Sequence, residues 1–115
     1  MKPDVVARVL RLVGLGVRSR GAVVGVERVR EAVKKGEVVL AVVASDASQH
    51  SLSKVVPLLE ARGVSIVRAP SAAQLGQTVG REQTTAVGIV DRELARGIRA
   101  LTDSAPERAT KEELA

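Results

Sequence analysis

Residues 38–44, VVLAVVA, constrain the fold more than any other stretch of this chain. All seven residues are apolar, without the alternation that a strand with one solvated face shows. The run follows Gly36, which can end a preceding helix as its C-cap, and it stops at Ser45 and Asp46. It therefore predicts a strand covered by helices on both faces, as in an α/β sheet.

Helical and strand patterns alternate along the rest of the chain. Short apolar strands are separated by segments in which apolar residues recur at helical spacing. The predicted strands are 22–24, 38–44, 64–68 and 86–90, and the predicted helices begin near Pro3 and occupy 26–35, 49–62, 71–80 and the segment after Asp91. This order predicts one layered α/β/α domain over residues 1–101, followed by a charged, flexible tail at 102–115.

Local signals set the expected ends of these helices. Gly14 and Gly16 should loosen the end of the first helix. Pro57 would break a continuous helix, so we expect two short helices there, with Pro57 in the first turn of the second. Ser71 and Gln74 have the spacing of a capping box, which fixes the start of the following helix.

The composition excludes several classes of function. Without Phe, Trp or Tyr, the chain cannot stack bases on aromatic rings. Without Cys, it has no disulfide, thiolate metal site or cysteine nucleophile, and a metal site could use only carboxylates and His50. We therefore expect no metal and no cofactor. The sequence shows no signal peptide and no apolar span of about 20 residues, which predicts a cytoplasmic protein without membrane contact.

The basic residues are concentrated at the start of the chain. Residues 1–35 hold nine Lys and Arg against three acidic residues, whereas residues 36–115 hold nine against ten. A local positive field of this kind points to a polyanionic partner, most often nucleic acid. Charge that serves solubility alone is the alternative.

No catalytic motif stands out. Residues 14–21, GLGVRSRG, end a helix and enter a strand, the reverse of a dinucleotide-binding loop, so they indicate a structural turn. A catalytic triad would need His50 oriented by an acid such as Asp46. A solvated or capping role for His50, and a cap on the following helix for Asp46, are the better interpretations. We predict that the protein is not an enzyme.

The strongest candidate site joins residues 25–31, GVERVRE, to Asp46. A helix that begins after Gly25 offers free backbone N–H groups to a phosphate or a base edge, and a glycine there lets a polymer approach closely. The basic residues around this start are Arg18, Arg20, Arg28 and Arg30. A solvated amphipathic helix is the alternative.

Longer stretches resemble a known family. VVGVERVREAVKKGEVVLAVVASDAS and VVPLLEARGVSIVRAPSAAQLGQTVG resemble the core of the kink-turn-binding ribosomal proteins of the L7Ae/L30e type. The opening LRLVGLGVRSRGAVVG is similar to the bacterial YlxQ-like branch of that family, and the resemblance covers roughly residues 5–100. It implies an RNA-binding surface made of three segments: the start of the second helix, the loop that contains Asp46, and the loop before the last strand.

Within those segments the chain departs from the family pattern. Glu27 stands where the family has an Asn that contacts base edges, Arg28 replaces an acidic residue, and Glu31 replaces a Lys. A carboxylate can only accept hydrogen bonds, and it repels phosphate. We therefore expect weakened or altered recognition of a kink-turn.

We predict a single three-layer α/β/α sandwich with a four-stranded mixed sheet, acting as a non-catalytic protein that binds structured RNA, for example ribosomal RNA. A protein-interaction module of the translation machinery, bound to ribosomal or other translation proteins, is the alternative. The predicted phosphate contacts are Arg18, Arg20, Arg28, Arg30 and Lys34, and the other predicted contacts are Gly25, Val26, Glu27, Glu31, Asp46, Arg81, Glu82 and Gln83.

Overall fold

The strand predicted at residues 38–44 lies inside a four-stranded sheet. The computed structural model describes residues 1–102. Its elements are α1 (Pro3–Arg18), β1 (Ala22–Val24), α2 (Val26–Lys34), β2 (Leu40–Val43), α3 (Gln49–Ala61), β3 (Ser65–Val67), α4 (Ala72–Val79), β4 (Ala86–Ile89) and α5 (Arg92–Thr102). Apart from Thr102, which ends α5, the predicted tail lies outside the described residues.

The sheet is mixed, as predicted. Its strand order is β1-β4-β2-β3, and β4 runs antiparallel to both β1 and β2, whereas β2 and β3 are parallel. The strands β1, β2 and β3 therefore share one direction, and β4 alone runs the other way. Leu40 pairs with Ile89 on one side and with Ser65 on the other, which makes β2 an interior strand.

Both faces of β2 are buried, and this explains its unbroken apolar sequence. Leu40 and Val42 point into a core that includes residues of α1, α4 and α5. Ala41 and Val43 point to the opposite face, into a core shared with α2 and α3. Successive side chains of a strand alternate between faces, so a covered strand needs apolar residues at every position. The predicted three-layer α/β/α sandwich is confirmed.

The two glycines of α1 have a different role from the one expected. The helix does not loosen at Gly14 or Gly16 but continues to Arg18. A Cβ atom at Gly14 would lie 3.3 Å from Cγ2 of Thr78 in α4, and one at Gly16 would overlap Cδ2 of Leu94 in α5. Both glycines are buried. They allow α1 to pack closely against its two neighbouring helices.

The prediction of two short helices around Pro57 is wrong, because α3 runs unbroken through it. A proline removes the N–H that would bond the carbonyl four residues earlier, here that of Ser53. Ser53 and Pro57 are both exposed, so water can satisfy this carbonyl. The next carbonyl, that of Lys54, accepts a hydrogen bond from the Arg30 guanidinium of α2. Exposure of the Ser53 carbonyl to solvent is therefore what allows the helix to continue through Pro57.

Capping follows the sequence closely elsewhere. The Ser71 hydroxyl accepts a hydrogen bond from the Gln74 N–H at 3.0 Å, and the Gln74 side chain accepts one from the Ser71 N–H at 2.9 Å, which completes the predicted capping box of α4. Gly36 follows α2 with a φ of +74°, a conformation that glycine adopts at little cost. The capping box therefore fixes where α4 begins, and Gly36 marks where α2 ends.

We expect Pro57→Ala to stabilise the protein. The substitution restores the N–H donor to the Ser53 carbonyl at an exposed site, so the free energy of unfolding should rise by about 1–3 kcal/mol. Chemical denaturation followed by circular dichroism measures it. Glu60→Ala, exposed on the same helix, is the control and should change the free energy by less than about 0.5 kcal/mol. An unchanged or lower value for Pro57→Ala would contradict this account of α3.

Candidate nucleic-acid interface

Four loops meet at one edge of the sheet, which we call the loop edge. It consists of Gly25 and the residues 44–48, 69–72 and 81–85, because the ends of β1, β2 and β3 and the start of β4 all lie there. Backbone hydrogen bonds join these loops: the Ala44 N–H donates to the Thr85 carbonyl at 2.8 Å, and the Ser45 N–H donates to the Pro70 carbonyl at 2.9 Å. The loop edge is therefore one connected surface.

The start of α2 lies open at this edge. Gly25 is its N-cap, with a φ of +100° and no side chain to bond the first turn. The Gly25 N–H donates to the Ala86 carbonyl at 2.9 Å, but those of Val26, Glu27 and Arg28 have no acceptor among the described residues. Three backbone donors are thus available to a ligand at the positive end of the helix dipole.

A cleft of about 440 Å³ lies in front of these donors. Its walls come from the start of α2, from α3 and from the loop before β4. Its lining residues are Val24, Gly25, Val26, Glu27, Arg28, Ser51, Lys54 and Arg81. Three of them carry positive charge and one carries negative charge, and none takes part in an ion pair with another described residue. The cleft is therefore suited to an anionic group.

The Arg81 side chain extends to Gly25. A Cβ atom at Gly25 would lie 3.7 Å from the Arg81 guanidinium, which is an ordinary van der Waals contact. Arg81 begins the loop that connects α4 to β4, and it is exposed. The first and third segments named by the family resemblance are therefore in contact across the cleft.

Asp46 bonds a different helix from the one expected. Its Oδ1 atom accepts a hydrogen bond from the Ala72 N–H of α4 at 2.7 Å, while Ser48 caps the following helix α3 by accepting from the Ser51 N–H at 3.1 Å. The prediction that Asp46 caps the following helix is wrong. Its carboxylate fixes the loop after β2 to the start of α4, and the residue is exposed at the loop edge. His50 is exposed in the first turn of α3, as predicted.

The loop 81–83 is held by its backbone. A Cβ atom at Gly76 would lie 2.7 Å from the Gln83 N and Cα atoms, so the loop rests directly on a glycine of α4. The Arg81 N–H donates to the Gly76 carbonyl at 2.7 Å, and the Thr84 N–H donates to the Ala72 carbonyl at 3.0 Å. The side chains of Arg81, Glu82 and Gln83 remain exposed.

Some predicted contacts lie away from this surface. Arg18 lies over Gly14 on α1 and lines a separate cleft there. Arg20 belongs to the turn before β1, at the opposite edge of the sheet, where the neighbouring Gly21 carbonyl accepts from the Val90 and Asp91 N–H groups. Lys34 ends α2, remote from Gly25. The predicted phosphate contacts therefore do not form one surface.

The remaining predicted residues stay near the loop edge with different roles. Glu27 lines the cleft, and Glu31 is exposed one turn further along α2. Arg30 is half-buried and bonds the Lys54 carbonyl, so it joins α2 to α3. Lys54 and Ser51 were missed by sequence reasoning. Their spacing on α3 is an ordinary helical one, and only the packing of α3 against α2 brings them to the cleft.

Residues 1–102 contain no group of three or more His, Asp or Glu side chains arranged to hold a metal ion. Within the same residues, no helix has both the length and the apolar character needed to cross a membrane.

We expect Gly76→Ala to displace the loop 81–83. The new methyl group would overlap backbone atoms of Gln83, which cannot rotate away as a flexible side chain could. The free energy of unfolding should fall by about 1–3 kcal/mol, as overpacking typically causes. Gln77→Ala, exposed on the same helix, is the control. Amide NMR shifts should change at residues 81–84 in the first variant only; a loop with unchanged shifts would refute the contact.

Comparisons with known proteins identify relatives of this chain. The sequence profile of the ribosomal protein L7Ae/L30e/S12e/Gadd45 family matches residues 7–98. The "RNA-binding protein YlxQ" of Bacillus subtilis (strain 168) is 28% identical over 92 residues, which are 80% of this chain and 92% of that protein. The resemblance to the YlxQ-like branch is thereby confirmed.

Two solved structures share the fold. A protein of unknown function from Bacillus halodurans C has a TM-score of 0.76 and 30% identity, over 84% of this chain and 98% of that one. The Giardia lamblia 15.5kD RNA binding protein also has a TM-score of 0.76, over 90% of this chain and 89% of that one, at 20% identity. At this last identity, the likeness concerns the fold alone.

Proposed function

The chain belongs to the ribosomal protein L7Ae/L30e/S12e/Gadd45 family, and we propose that it is a non-catalytic protein that binds structured RNA at the loop edge. One observation carries this proposal. Three unpartnered backbone N–H groups at the start of α2 face a cleft that also holds Arg28, Lys54 and Arg81. Backbone donors and basic side chains in this arrangement suit the oxygens of a nucleic-acid phosphate.

The similarity to a bacterial relative supports the same ligand class. The Bacillus subtilis relative is called an RNA-binding protein, and this chain covers 92% of its length. The residues that form the cleft all lie within the part of the chain that the family profile matches. The absence of aromatic residues means that the loop edge would contact phosphate and ribose, with hydrogen bonds to bases, rather than stack on them.

Acidic and amide groups at the loop edge would supply the contacts to base or ribose. Glu27 lines the cleft, Asp46 is exposed with one carboxylate oxygen bonded to Ala72, and Glu82 and Gln83 are exposed on the third loop. Carboxylates accept hydrogen bonds from base amino groups and ribose hydroxyls, but they cannot donate. This set favours ligands that present donors, and it gives weak recognition of a standard kink-turn.

We expect Arg28→Gln with Lys54→Gln to weaken RNA binding. Each lost phosphate contact should reduce the slope of log Kobs against log salt by about 0.7 for single strands and about 0.9 for duplexes. Titration of ribosomal RNA fragments at several salt concentrations measures this slope. Arg8→Gln with Arg11→Gln, exposed on α1, removes the same charge elsewhere.

Equal slopes in the wild type and the cleft variant would refute phosphate binding at the loop edge. Failure of the wild type to bind RNA at any salt would favour the alternative occupant of this edge, a protein of the translation machinery. Both variants should retain the wild-type free energy of unfolding, because exposed charges contribute little to stability.

The departures from the family pattern generate a second prediction. Changing Glu27→Asn and Glu31→Lys together should strengthen binding to a standard kink-turn RNA by about 1–3 kcal/mol. An Asn amide donates and accepts at once, and the lysine removes repulsion from the phosphates. A titration at fixed salt compares the two proteins.

That comparison needs a control for the change in net charge, which by itself strengthens binding to RNA at any position. Glu60→Asn with Asp4→Lys makes the same charge change at exposed positions outside the cleft, and its gain should be smaller. Wild-type binding as tight as that of the Glu27/Glu31 variant would show that these two positions do not limit kink-turn recognition.

A further inference from the structure

A second basic cleft, of about 370 Å³, lies at the sheet edge opposite the loop edge. We propose that this cleft binds the phosphates of a second RNA segment, so that the protein holds two segments at once. Its lining residues are Val38, Val39, Arg62, Gly63, Val64, Arg92, Ala95, Arg96 and Arg99. We call it the arginine cleft. The inference takes its ligand class from the proposed function but concerns a different surface.

Three of its arginines form one face of α5. Arg92, Arg96 and Arg99 are separated by four and three residues, the spacing at which side chains lie on the same side of a helix. Seven residues of helix rise by about 10 Å, so these guanidinium groups are spread along the cleft rather than gathered at one point. The other face of α5 carries Ile98, with the half-buried Leu94 and Leu101, toward the core, and Ala95 lies at the floor of the cleft. This arrangement can follow a chain of phosphates.

Two arginines of the cleft are held in place by backbone carbonyls. The Arg99 Nη2 atom donates to the Val39 carbonyl at 3.0 Å. The Arg62 Nη1 atom donates to the carbonyls of Val33 at 3.3 Å and Lys34 at 3.4 Å. A guanidinium has five N–H donors, so each group keeps donors for a ligand. Arginines whose positions are already fixed lose less conformational freedom when they bind phosphate.

Little negative charge opposes these groups. Within residues 1–102, the one ion pair at the cleft joins Arg96 to Glu93 at 3.5 Å, and both side chains are more than three-quarters exposed, at 76% and 78%. Such an exposed pair is weak. Arg92, Arg62 and Arg99 have no carboxylate partner among the described residues. With respect to residues 1–102, the cleft therefore keeps most of its positive charge available.

The surface around the cleft favours nucleic acid over a protein partner. Protein interfaces usually contain a central apolar or aromatic anchor. Among residues 1–102, the large hydrophobic side chains that are exposed are Met1 and Leu15, and neither lines the arginine cleft. Planar guanidinium groups match phosphate oxygens with two parallel hydrogen bonds. A phosphate backbone is thus the partner whose chemistry this cleft fits.

The two clefts are separated by the length of the sheet. Val38 and Val39, before β2, line the arginine cleft, whereas Ala44 to Asp46, after β2, belong to the loop edge. At the rise of a strand this distance is about 20 Å. This line runs along the buried strand β2, so an oligonucleotide that joined the two clefts would have to follow a longer path over the surface. We therefore expect a short oligonucleotide to occupy one cleft at a time, and the number of bound molecules reports on each cleft separately.

The test is the stoichiometry of binding to an oligouridylate of about four nucleotides, the short end of the site sizes of single-strand-binding proteins. Native mass spectrometry at low salt counts the bound molecules. The variants are Arg92→Gln with Arg96→Gln for the arginine cleft, Arg28→Gln with Lys54→Gln for the loop edge, and Arg8→Gln with Arg11→Gln as a control of equal charge. Glutamine is a good helix former, so α5 should remain folded.

The wild type and the control should bind two molecules, and each cleft variant should bind one. The inference would be overturned if the Arg92/Arg96 variant bound two RNA molecules. It would also be overturned if the wild type bound one RNA molecule and only the Arg28/Lys54 variant lost it. If the wild type bound one RNA molecule and only the Arg92/Arg96 variant lost it, the arginine cleft would be supported and the loop-edge function refuted. No binding by the wild type would overturn both. Tighter binding of an oligoglutamate peptide to the arginine cleft would assign it to an acidic protein segment and overturn the RNA proposal.

Discussion

The burial of β2 on both faces is the constraint on which the rest of the structure depends. Leu40 and Val42 need one layer of helices, and Ala41 and Val43 need another. The chain has no aromatic side chain to fill wide gaps between these layers. The helices instead pack close together, and α1 does so at its buried glycines, Gly14 and Gly16. Even small side-chain substitutions at such positions would displace neighbouring core residues, because protein interiors are close-packed.

The directions of the strands bring the loops of the candidate site together at one edge of the sheet. Since β4 alone runs opposite to its neighbours, the loop that precedes it meets the loops that follow the other three strands. Gly25, Asp46 and Arg81 come together for this reason, although they are distant in the sequence. Backbone hydrogen bonds between the loops then fix their relative positions. The basic cleft is a consequence of sheet topology as much as of local sequence.

Features that depend on neighbours in the sequence were predictable, and features that depend on distant partners were not. The capping box at Ser71 and the doubly buried strand follow from local pattern. The continuity of α3 through Pro57 depends on the exposure of Ser53 to solvent, and the bond of Asp46 to Ala72 spans 26 residues. The candidate site divides in the same way: the start of α2 was visible in the sequence, whereas Lys54 reaches the cleft only through the packing of α3.

The contact between Gly76 and Gln83 separates the shape of the third loop from its chemistry. The backbone of residues 81–84 is fixed by α4, while the side chains of Arg81, Glu82 and Gln83 are exposed and form no hydrogen bond or ion pair with another described residue. Substitutions at these three positions can therefore accumulate at little cost in stability. The binding preference of this loop can therefore change by exchange of side chains alone, on a backbone that does not have to move.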